Sequence, residues 1–227
     1  MVVCAENNTA MEGGVAESFK DSASTPLSSI AEAFEELSRF LNNWKVDGSN
    51  EDMPLGKFCE ACSRISILFS CLGIAFKFAE LEYVSKVNDL MEASKTYNTL
   101  KNVIDYDAAN DTVKTPGSHS RNLRRVRQGL DLIRALFEQF LSANDYSLRD
   151  AASAAYHQVC APYHTWTVRT AVAAGMYTLP TKDQLLLRLR ESNQSAEKKM
   201  KRYIEASHTV IEYIDELYLS RNIRLDW

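Results

Sequence analysis

The stretch SHSRNLRRVRQGLDLI, residues 118–133, sets four arginines within seven positions and then turns apolar within one helical turn. Leu123, Val126, Leu130, Ile133, Phe137 and Phe140 recur at the spacing of one face of an α-helix. This predicts one long helix from about Ser118 to Ser142, with that stripe turned to a core. Arg121 and Arg125 belong to a different row, which continues through Gly129, Leu132 and Leu136. One face therefore begins cationic and ends apolar beside the core stripe. Such a helix either packs on one side and lines a cavity on the other, or is an ordinary core helix with a solvated basic end. Arg124 and Arg127 fall off that row and are expected to be ordinary surface charge.

Working outward, the helical period persists. Ile30, Phe34, Leu37, Phe40 and Leu41 form one stripe after Pro26, and Phe58, Cys62, Ile65 and Phe69 form a second after Pro54. Gly73 punctuates the chain before IAFKFAELEYVSKVNDLMEAS, and TYNTLKNVIDYD follows up to a Pro–Gly loop at 116–117. LRDAASAAYHQV reads as a short helix. YHTWTVRTAVAAGMY reads as another, stopped at Leu179–Pro180, and a final long helix spans about 193–220. No segment alternates with period two, so the chain is expected to be all-α. Residues 1–25 are rich in Ser, Thr, Ala, Gly and Glu without periodic apolar spacing and are expected to be a disordered arm, leaving 26–227 as a single domain.

Charge divides along the same boundary. The chain has a formal net charge of −4, yet residues 1–54 hold ten acids and three bases. The remaining body is therefore mildly basic, which favours anionic partners there. Five cysteines among 227 residues do not make a disulfide framework and fit a reducing cytosol. Cys59 and Cys62 have metal spacing, but no second pair follows and the four histidines are scattered, so no metal and no cofactor are expected. There is no glycine-rich phosphate loop, no secretory signal at the start and no apolar run of membrane-spanning length.

Charged residues on apolar helix faces carry the remaining information. Phe78, Glu82 and Lys86 share one face beside Ala75 and Ala79; Glu82 and Lys86 also have the spacing of a surface ion pair. Cys160 and His164 stand four apart, where a helix would put them on one face. They lack an oxyanion-hole partner for nucleophilic catalysis. His164 also heads a face with Val168, Ala171 and Val172, the usual setting of a core histidine. Trp166 is either core or an amphipathic anchor at a membrane surface.

Three blocks together, FSCLGIAFKFAELEYVSKVNDL, GSHSRNLRRVRQGLDLIRALFEQ and APYHTWTVRTAVAAGMYTLP, with the ending IRLDW, resemble the glycolipid transfer protein superfamily over about residues 55–227. Within it they are most similar to the plant accelerated-cell-death type, which moves ceramide-1-phosphate. The resemblance implies a two-layer all-α sandwich enclosing an apolar lipid pocket. It implies that Lys86, Arg121 and Arg125 grip a phosphate head group, that His164 donates to the ceramide amide carbonyl, and that Trp166 touches the membrane. The glycolipid-binding branch has tryptophan where Arg125 stands, and a guanidinium suits phosphate better than sugar. Glu82 stands where the family usually has Asp, so the acceptor for the sphingoid amide and hydroxyl is one methylene longer.

The leading expectation is thus a non-enzymatic cytosolic carrier or sensor of ceramide-1-phosphate-type sphingolipids. It would be monomeric, in transient contact with membrane surfaces, with no catalytic residues and no nucleic-acid partner. Two rivals are an all-α adaptor binding phosphorylated or acidic protein segments through Arg121 and Arg125, and a lipid hydrolase using Cys160 and His164.

Overall fold

The computed structural model describes residues 24–47, 52–142 and 147–227. All but the last two residues of the expected arm lie outside them. The described residues form α1 (Pro26–Asp47), α2 (Leu55–Arg64), α3 (Ser66–Leu72), α4 (Lys77–Ala93), α5 (Leu100–Ala109), α6 (His119–Ser142), α7 (Leu148–Val159), α8 (Trp166–Met176), α9 (Lys182–Leu189) and α10 (Asn193–Leu219). Among them the sole extended pairing is an isolated bridge between Pro54 and Thr99.

Local chemistry sets the boundaries. Thr99, Ser147, Thr165, Thr181 and Ser192 each accept an N–H from the first turn of the helix that follows, satisfying donors the helix leaves open. Ser118 does the same for α6 by accepting from the Arg121 amide at 3.2 Å. Between α3 and α4 the chain turns at Gly73, whose φ of 108° suits glycine, and passes through a single 3₁₀ turn, Ile74–Phe76.

The expected stripes are the core. Leu123, Val126, Leu130, Ile133, Phe137 and Phe140 are all buried, as are Ile30, Phe34, Leu37 and Leu41 of α1; Phe40 is half-buried. Helix α6 packs on α10, α4 and α7, while α10 also carries α1. Tyr203 of α10 is fully buried, with its ring edge-on to Phe34 and Phe137 and its hydroxyl donating to the Leu130 carbonyl at 3.1 Å. One aromatic thus joins three helices and also satisfies its polar end.

Four expectations need correction. The helix α9 was not anticipated, although Thr181 and Gln184 form a capping box, an N-terminal signal present in the sequence. The second apolar stripe is divided between α2 and α3 at Ile65. Cys160 and His164 share no helix face: α7 ends at Val159, a 3₁₀ turn covers Ala161–Tyr163, and His164 is extended with φ −102° and ψ 143°. The face headed by His164 is not a core face: Val168 and Ala171 are exposed, and Met176 is the buried residue of α8.

Gly129 also differs from its expected role. A Cβ there would lie 2.9 Å from two ring carbons of Tyr83, so this glycine is where α4 and α6 approach closely. On the row from Arg121, the apolar part therefore begins with interhelical packing. Half-buried Leu132 and buried Leu136 continue it.

Candidate ligand-binding site

The amino-terminal turns of α6 are held from below by one carboxylate. Buried Asp107 accepts the Ser120 amide at 2.8 Å and the Thr112 hydroxyl at 2.8 Å. Its charge complements the positive end of the α6 dipole. Arg121 stands in that first turn, where cations are disfavoured and an anion is stabilised, and Arg124 and Arg125 lie one turn further on.

How each arginine is held separates them. Arg121 donates to the Lys114 carbonyl at 2.6 Å, Arg124 to the Leu225 carbonyl at 3.1 Å, and Arg125 to the Gln128 side-chain oxygen at 2.9 Å. Among the described residues none of these three forms an ion pair with a carboxylate. Arg127 instead binds Asp215 through Nε at 2.7 Å and Asp131 through Nη1 at 2.6 Å, and Arg134 binds Asp131 and Glu138.

Arg124 and Arg127 are therefore not surface charges. Arg124 is 4% exposed, has two guanidinium nitrogens without partners and lies 5.6 Å from the centroid of the Tyr163 ring. Arg127 is largely buried in an ion-pair network joining α6 to α10. The row argument set both apart from Arg121 and Arg125 as solvated charge and did not anticipate Leu225, in the segment after α10, or Asp215, which hold them.

Around Arg125 the expected residues converge. Burial, followed by repulsion from Arg121 and Arg124, lowers its pKa, while Cys160 and Glu82 act in the opposite direction. Arg125 in turn, second to burial, holds the His164 imidazole below the ordinary histidine range. His164 Nδ1 and the Tyr156 hydroxyl are hydrogen-bonded at 2.9 Å, so Tyr156 on α7 orients the ring. On α4, Glu82 and Lys86 are paired with each other across one helical turn. Trp166, two residues beyond His164, is 74% exposed. It lines a cleft of about 400 Å³ with Tyr156, His157, Arg169, Val172 and Met176.

Gln128 was missed by the sequence reading. It is buried, donates to the Val159 carbonyl at 3.1 Å and accepts from Arg125. Its position one turn after Arg124 carried no signal, since a glutamine on a helix is ordinarily a solvated residue.

Cys160 lies beside Arg125, but burial pushes its thiol up to about 12, so at neutral pH it is no thiolate nucleophile. Cys59 is likewise pushed up to about 12, and complete burial raises Cys62 well above the ordinary thiol range. Among the described residues no group of three or more His, Cys, Asp or Glu side chains is placed to hold a metal. No described helix is long and apolar enough to cross a membrane.

This helical frame is that of a known class. The family model for glycolipid transfer protein (GLTP) matches residues 53–191, and the chain belongs to that family. It is 67% identical over 204 residues to the ACD11 homolog protein of Arabidopsis thaliana, covering 89% of each chain. It is also 46% identical to the crystallised accelerated-cell-death 11 of Arabidopsis, a variant of which was solved complexed with C12 ceramide-1-phosphate. That structure superposes with a TM-score of 0.85 over 90% of this chain and 100% of its own. Human ceramide-1-phosphate transfer protein, at 18% identity and a TM-score of 0.73, shares the fold.

Proposed function

We propose that this protein carries or senses ceramide-1-phosphate-type sphingolipids between membranes and performs no covalent chemistry on them. The observation that carries the reading is that Arg121 and Arg125 of α6 are held by neutral oxygens near the start of the helix. Among the described residues neither is ion-paired with a carboxylate, as Arg127 is. A phosphate monoester supplies the missing anion.

In this reading Arg121, Arg125 and Lys86 hold the phosphate, with Lys86 exchanging its Glu82 partner for the ligand. Glu82 then accepts from the sphingoid amide and hydroxyl. A Tyr156 hydroxyl donating to Nδ1 of His164 leaves Nε2 as the protonated nitrogen, able to donate to the ceramide carbonyl. The depressed pKa of His164 favours that neutral form.

The hydrocarbon is the larger energetic problem. Withdrawing one chain of about fifteen methylenes from a bilayer forfeits ~12 kcal/mol at ~0.8 per CH₂. The polar cluster selects the head group; only an apolar enclosure offsets that cost. The face continuing through Leu132 and Leu136 is the part of α6 suited to it. Exposed Trp166 is the membrane contact, and residues 26–227 act as one domain, monomeric in the cytosol.

A direct test is to purify the protein, extract it with organic solvent and identify bound lipid by mass spectrometry. A phosphorylated sphingolipid is expected. Lipid-free protein that also takes up no added ceramide-1-phosphate, while binding an acidic phosphopeptide through Arg121 and Arg125, would establish the adaptor reading in its place.

A further inference from the structure

Gln128 occupies an unusual position in this site. It lies on α6 one turn beyond Arg124 and Arg125, is 5% exposed, and both ends of its amide are used. Nε2 donates to the Val159 carbonyl at 3.1 Å, at the end of α7, and Oε1 accepts from Arg125 at 2.9 Å. The helix end that Gln128 grips leads directly through Cys160 and the 3₁₀ turn to His164. One neutral amide thus ties the Arg125 guanidinium to the segment that carries His164.

We propose that Gln128 is the positioning residue of the head-group site: it fixes Arg125 relative to His164 and, being neutral, leaves the Arg125 charge available to the ligand phosphate. The inference rests on the lipid-carrier reading above and adds to it a residue that need not touch the lipid. Two physical points support it. A free arginine loses considerable side-chain entropy on binding, and one held in advance has less to lose. A carboxylate would hold the guanidinium as well but would cancel its charge, as Asp215 and Asp131 do for Arg127. An amide provides the orientation without the neutralisation.

The test uses the full chain with Gln128→Leu and Gln128→Glu, vesicles carrying labelled ceramide-1-phosphate or the same ceramide without phosphate, and ¹⁵N relaxation of the Arg125 Nε–H. Gln128→Leu is expected to lower ceramide-1-phosphate uptake about tenfold, the scale of one hydrogen bond to a charged group. Ceramide uptake is expected to stay within about twofold, since the hydrocarbon enclosure is intact, and Arg125 Nε is expected to lose order. Gln128→Glu keeps the volume and adds a titratable carboxyl. Its direct charged partner is Arg125; that guanidinium in turn interacts with Arg121 and Arg124 on α6, Glu82 on α4, the Cys160 thiol and His164. Its carboxylate is expected to depress uptake at pH 7.5 and to release Arg125 as the pH falls and it protonates. Dividing by wild-type uptake at each pH removes the titration of the lipid phosphate itself.

Wild-type ratios of the two lipids in both variants, with unchanged Arg125 order and no new pH dependence, overturn the proposal. Should the wild type take up no ceramide-1-phosphate, the carrier reading fails. The positioning claim is then decided by Arg125 order alone: loss in Gln128→Leu sustains it, and no change overturns it. If Gln128→Leu does not fold, the pH profile of uptake and Arg125 order in Gln128→Glu decide.

Discussion

The first two turns of α6 and the turns that follow them use the same residue type for opposite purposes. Arg127 and Arg134 are bound by Asp131, Asp215 and Glu138, and their charge is spent inside the molecule. Arg121, Arg124 and Arg125 are held by two carbonyls and an amide, and theirs is not. Counting arginines along a helix therefore says little about ligand binding. What the guanidinium is bound to decides whether it is structure or site.

The contrast can be broken most severely from the structural side. Arg127→Leu leaves Asp215 and Asp131 without their shared partner in a largely buried setting, so unfolding free energy is expected to fall by about 3 kcal/mol. Denaturant titration reads this, and lipid selectivity in the surviving folded protein is expected to be preserved. Arg125→Leu should do the reverse. Transfer of ceramide-1-phosphate is expected to drop about thirtyfold, the worth of one or two charge-assisted hydrogen bonds, with little change in the unfolding midpoint.

Arg124 sharpens the comparison because it combines burial with an unpaired charge. Arg124→Leu removes a desolvated cation at the expense of one hydrogen bond to Leu225, so stability is expected to hold or to rise by up to about 1 kcal/mol. A loss above about 2 kcal/mol in thermal or chemical unfolding would show that its partners outweigh its burial.

The smallest effect concerns pH. His164 binds a proton less readily when folded than when unfolded, because of burial and then Arg125. Its contribution to stability is therefore present above the ordinary histidine pKa and is lost as the pH falls through the lower folded value. Stability curves on acidification are expected to decline more steeply in the wild type than in His164→Asn. Superimposable curves would mean that the folded imidazole titrates normally.

Much of this architecture was legible in the sequence, because the dominant signals are local and periodic. The α6 stripe of Leu123 to Phe140 lies in the core as its spacing requires, and the special position of Gly73 follows from its placement between two apolar runs. The row that joins Arg121 to Arg125 singled out two arginines that lie near each other, and Glu82 and His164 both interact with Arg125. Misreadings arose where the answer depends on distant partners. Arg124 and Arg127 looked solvated because Leu225 and Asp215 lie about ninety to one hundred residues away in the chain. His164 looked helical because nothing periodic marks the 3₁₀ turn that ends α7. The face of Val168, Ala171 and Val172 had the spacing of a core face, yet nearly all the side chains of α8 face outward.

The most direct test of the central claim is head-group dependence of transfer. Purified protein is mixed with donor vesicles containing ceramide-1-phosphate or ceramide of identical chain length, and movement to acceptor vesicles is followed by fluorescence. The arrangement of Arg121, Arg125 and Lys86 predicts fast transfer of the phosphorylated lipid, slow transfer of the other, and loss of that preference as salt is raised. Equal rates for the two lipids at low salt would contradict it.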